Sequence, residues 1–101
     1  MLDLDLFLYA YPDEDDSISD ELTCVILDSY LMDNNISFDS ITDEKAFISK
    51  AKKLAEKLKK HIAKTDIAAR LQNMSIDYID LTVEQVDGPE VKSWIVWEKK
   101  K

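Results

Sequence analysis

Leu22-Thr-Cys-Val-Ile-Leu-Asp-Ser-Tyr-Leu-Met32 is the stretch on which the topology turns. Thr23, Val25 and Ile26 are β-branched and favour extended backbone, and a polar segment ahead of them can join the run to a preceding strand as a hairpin. The same residues also fit a helix. Ser19 can cap it with Asp20 and Glu21 behind, and Leu22, Val25, Ile26 and Tyr30 fall in helical register. We read a strand and keep the helix as the alternative, since a short apolar run satisfies both periods.

Working outward toward the N-terminus, Leu2, Leu4, Leu6 and Leu8 alternate with Asp3, Asp5, Phe7 and Tyr9. This is a strand with leucines on one face, while its other face begins acidic and ends aromatic. Pro12 removes a ladder donor and stops it, and Asp13, Glu14, Asp15, Asp16 and Ser17 read as a solvated loop. In the other direction, Asn34 and Asn35 signal a turn, and Ile36 to Phe38 offer a short extended piece.

Thr42 to Lys64 is the clearest helix. Phe47, Ala51, Leu54, Leu58 and Ile62 form one apolar stripe, and Lys45, Lys50, Lys52, Lys53, Lys57, Lys59, Lys60 and Lys64 stand between them. Thr42 is the expected N-cap, with Asp43 and Glu44 placing negative charge in the first turn. Asp66 to Gln72 reads as a short helix capped by Thr65, or a kinked continuation. Ser75 to Val86, the Asp87-Gly88 turn signal and Val91 to Glu98 form a hairpin. Strict alternation there puts Trp94 with Val96 on one face and Ile95 with Trp97 on the other. One tryptophan is then expected outside a one-sided core.

These elements predict a single α+β domain over 1–101: an antiparallel sheet of about four strands, in the order β-β-α-β-β, packed on one long amphipathic helix. The helical alternative for Leu22 to Met32 gives β-α-α-β-β.

Composition narrows the function classes. The chain has 101 residues and a formal charge of -8. Thirteen acids in residues 1–45 face only Lys45, whereas residues 46–101 carry eight acids and twelve Lys and Arg. No run of about 18 apolar residues suggests a membrane span. Met1-Leu-Asp-Leu-Asp lacks the basic start of a secretory signal, so a cytoplasmic address is expected. Lone Cys24, in an apolar run, reads as a buried inert thiol and lone His61 as an exposed or edge-of-core imidazole. Asp33, Asn35, Ser37, Asp39 and Glu44 match the ligand spacing of a calcium loop. Phe38 stands where that loop needs Gly, and Ser40 where it needs an apolar residue, so no metal or cofactor is expected.

There is no Gly-rich phosphate loop, cysteine pair or G-x-S-x-G elbow, and no enzyme is predicted. The lysine-rich helix offers a weaker case for nucleic-acid binding, because the net charge repels phosphate. The expectation is a small acidic protein-binding module that occupies a basic partner surface, as an inhibitor or immunity-type protein does. Its expected contacts are Asp3, Asp5, Asp13, Glu14, Asp15, Asp16, Asp20 and Glu21, with Tyr9 or Trp97 as an apolar anchor. A structural subunit that forms a homodimer through the sheet is the alternative.

Overall fold

The computed structural model describes residues 2–11 and 16–100, the side chains of 16–20 excepted. The elements are β1 (Leu4–Tyr11), α1 (Asp16–Asp33), α2 (Glu44–Lys64), α3 (Asp66–Gln72), β2 (Tyr78–Gln85) and β3 (Glu90–Glu98). They build an α+β fold in which an antiparallel sheet of order β1-β2-β3 carries the helices on one face. Among the described residues no helix is long and apolar enough to cross a membrane.

The Leu22–Met32 run is helical, which corrects the expected fourth strand and the β-β-α-β-β order. The described order is that of the helical alternative with the short α3 added. Thr23, Ile26, Leu27, Tyr30 and Leu31 are buried or half-buried, while Val25, Asp28 and Met32 are exposed. Cys24 is exposed too, which corrects the expected burial of its thiol, because the helix turns it away from the stripe. Adjacent Ile26 and Leu27 are both buried, as a helical stripe allows and a strand with one solvent face does not. Sheet width explains why tertiary packing overrode the β-branched preference. Three strands span about 14 Å and a helix is about 10 Å wide, so α2 alone leaves β1 uncovered.

Asn34 and Asn35 do turn the chain, as a helix C-terminus. Asn35 takes a positive φ of 54°. Ile36 N–H donates to the Leu31 carbonyl at 2.9 Å and Asn35 N–H to the Met32 carbonyl at 3.3 Å, the two bonds of a Schellman cap. Ile36 and Leu31 both pack against the core, supplying the hydrophobic contact that accompanies this cap. Residues 36–38 form no strand.

The α2 stripe is buried as its spacing requires: Phe47, Ala51, Leu54, Leu58 and Ile62 all lie in the core, joined by Ala55. Its N-cap is Asp43, one residue beyond the expected Thr42. The Asp43 carboxylate accepts from Ala46 N–H at 3.0 Å. Helix α3 has the expected bounds, but the Thr65 hydroxyl donates back to the Ile62 carbonyl instead of capping it.

Leu8, Ala10, Ile79, Leu81 and Val83 form the sheet's contribution to the core. Alternation fails in β3. The partner of Ile79 is Trp97 and that of Asp80 is Ile95, so Val96 is an extra residue at a β-bulge. Val96 and Trp97 therefore oppose Ile79 together, and both belong to the core with Trp94 packed against it. This corrects the expected split of the tryptophans between two faces.

Candidate functional site

The helices cover one face of the sheet, and among the described residues no further element covers the other. The register assigns its residues. Asp5, Phe7, Tyr9 and Tyr11 of β1 stand opposite Glu84, Thr82, Asp80 and Tyr78 of β2. In β3, Glu90, Ser93, Ile95 and Glu98 continue the same rows. Among these described residues there is no lysine or arginine.

The aromatic side chains form a ridge along β1 that crosses to β2. Phe7 and Tyr9 stack with centroids 5.9 Å apart, Tyr9 and Tyr11 are tilted at 6.5 Å, and Tyr11 stacks on Tyr78 at 4.9 Å. Phe7, Tyr78 and Ile95 are exposed, at 39%, 37% and 45%. The ridge shelters the central strand, where Asp80 and Thr82 are buried on the same face.

Those polar groups are paired. The Thr82 hydroxyl donates to Asp80 Oδ1 at 2.8 Å, and the Tyr9 hydroxyl donates to Glu84 Oε1. Burial lifts the Asp80 carboxyl above its ordinary range; the Thr82 bond pulls it back, and the Glu90 charge adds to the rise. Tyr11 is pushed up first by burial and then by the charges of Asp80 and Glu90. The face is thus a negative field over aromatic carbon.

The lysines lie elsewhere. Lys45, Lys52, Lys53, Lys57, Lys59, Lys60 and Lys64 are exposed on α2, whose buried stripe faces the sheet. The molecule carries acid and aromatics on one side and a cationic helix back on the other.

Several residues named from sequence meet on this face, and others do not. Asp5 and Tyr9 belong to it, and exposed Asp3 precedes β1. Asp16 and Asp20 are in α1 with side chains outside the described set, Glu21 is exposed on α1, and Asp13, Glu14 and Asp15 lie outside the described residues. Trp97 packs under the helices at 8% exposure and does not share the face of Tyr9. Sequence reasoning missed Tyr11, Tyr78, Asp80, Glu84 and Glu90. The signal was present, since Tyr78 and Asp80 begin an alternation that matches Tyr9 and Tyr11, but only the β1–β2 register joins them.

No protein-family model matches the chain, and no curated protein or solved structure is significantly similar to it.

Proposed function

We propose that the uncovered sheet face binds a basic protein surface, making the chain a small acidic, non-catalytic binding module of the inhibitor or immunity type. One observation carries this reading: stacked Phe7, Tyr9, Tyr11 and Tyr78 are bordered by Asp5, Asp80, Glu84, Glu90 and Glu98, with no cation among the described residues of the face. Arginine suits such a surface because its guanidinium stacks on a tyrosine ring while its fork meets a carboxylate. The exposed rings supply the apolar anchors on which binding energy concentrates. The same carboxylates repel a phosphate backbone, so bases stacked on these rings would come with an unfavourable field. Two copies meeting through this face would oppose carboxylate to carboxylate, which ranks the homodimer second.

Affinity capture with the tagged chain, at low and at high salt, tests the reading. We expect a basic protein that salt releases and that the double variant Asp5→Lys/Glu90→Lys no longer retains. Asp13→Lys/Asp15→Lys makes the same change in net charge and controls for it. Loss of capture by the control but not by the face variant would transfer the function to the acidic segment 13–16.

A further inference from the structure

We propose that the β1 edge is a docking site for an extended segment of a basic partner, added as a fourth strand with alternating apolar and Lys or Arg side chains. The proposal rests on the reading of the open face for its basic residues and on an independent observation for its apolar ones. Between the first half of β1, the end of α1 and residues 36–42 lies a cavity of about 750 Å³. Its walls include Leu4, Leu6, Leu31, Ile36, Phe38 and Ile41, which are all only half-buried. This volume falls in the range of roughly 300–1,000 Å³ typical of binding clefts.

The outer wall is held in place by contacts of its own. Phe38 packs on Phe47 with centroids 4.9 Å apart, and Ile41 N–H donates to the Phe38 carbonyl at 3.2 Å. Lys50 lies 4.9 Å from the centre of the Phe38 ring and donates to the Ser37 carbonyl. The groove is therefore formed before any occupant arrives. Asp5, Asp28 and Asp39 also line it, and no lysine or arginine does among the described residues.

The edge supplies the backbone partners. The Asp3 carbonyl accepts from Val86 and the Tyr11 carbonyl from Asp77, so the odd-numbered residues of β1 direct their backbone groups toward β2. Leu4 and Leu6 then direct theirs outward beside the groove, where no described strand flanks β1; Leu8 and Ala10, each 6% exposed, close the far half of the edge. The Leu6 N–H is met by Asp5 Oδ1 at 2.9 Å, as an outward donor would be. An added strand places alternate side chains on opposite faces. One set enters the apolar groove and the other lies beside Asp5, Phe7 and Tyr9. Charge selects against a second copy in this place, because it would bring its own Asp3 and Asp5 and another net -8.

The test uses the full chain and synthetic peptides of about eight residues, the length of a strand. One alternates leucine and lysine; a second has the same composition in two blocks; a third is the alternating peptide N-methylated along one edge. Calorimetry should show the alternating peptide binding at least about tenfold tighter than either control, a difference of about 1.4 kcal/mol. NMR should show the Leu4 and Leu6 amides gaining exchange protection and Ile36 and Phe38 shifting. Equal binding of all three, with shifts confined to Phe7, Tyr9, Tyr11 and Tyr78, would overturn the added strand and leave the open-face reading standing. Binding of none would overturn the added strand, while the open-face reading is decided by the capture experiment with Asp5→Lys/Glu90→Lys. A doubled mass in light scattering that the alternating peptide does not reverse would give the edge to a second copy and overturn the proposal.

Discussion

Alanine at Val25, Ile26 and Leu27, three consecutive residues, separates the helical from the extended form of the decisive stretch. Ile26 and Leu27 are 5% and 6% exposed within the main core cluster, whereas Val25 is 56% exposed. Truncating a buried Ile or Leu loses its transfer free energy and leaves a cavity, about 2–5 kcal/mol together. Against a total stability of about 5–15 kcal/mol, either change removes a large fraction. At about 4–8 °C per kcal/mol for a domain of this size, each should lower Tm by at least about 8 °C. Val25→Ala loses little burial and gains up to about 0.7 kcal/mol in helix propensity, so it should leave stability unchanged or slightly raised. Urea denaturation followed by far-UV circular dichroism gives the midpoints at constant m value. The pattern of neutral, costly, costly is specific to a helix stripe. If Val25→Ala costs as much as Ile26→Ala, or Leu27→Ala is neutral, the packing of α1 described above is wrong.

Two further outcomes follow from the sheet. The folded pKa of Asp80 lies above its unfolded value, so the folded state holds that proton more tightly and stability falls as pH rises through the interval between them. Asp80→Asn should match the parent below the unfolded pKa of about 3.9 and exceed it at neutral pH; urea titrations across pH check this, and a pH-independent difference would exclude Asp80 as the cause. Gly88→Ala should destabilise by about 1–3 kcal/mol, because its Cβ would sit 2.9 Å from the Gln85 Cβ, and an unchanged melting temperature would show that the turn relaxes freely.

Most of the framework was legible in the sequence wherever one period dominated. The leucine alternation of β1, the stripe of α2, the short α3 and the hairpin all stand in the structure close to where pattern placed them. The run Leu22–Met32 was not legible, because β-branched Thr23, Val25 and Ile26 speak for a strand while the burial of Ile26 together with Leu27 is decided by the need to cover β1. The cap at Asn35 was a readable hint, since Asn-Ile after an apolar run suits the left-handed residue and hydrophobic contact of a Schellman motif. The Val96 bulge left no such hint, and alternation alone sent Trp97 to the wrong side. For the candidate site, the aromatic and acidic side of β1 was visible. Its completion by Tyr78, Asp80, Glu84 and Glu90 required a register between strands 67 residues apart in the chain, as Tyr11 and Tyr78 are.

The bulge at Val96 also sorts the chromophores. Trp94 and Trp97 are both turned toward the helices, while Tyr9, Tyr11 and Tyr78, three of the four tyrosines, are on the open side and Tyr30 packs against the core. Tryptophan emission follows the integrity of the packed interior. The unlabelled protein thus carries its own optical reporter of unfolding, and a titration in which a partner binds while tryptophan emission stays fixed shows that association leaves the interior undisturbed.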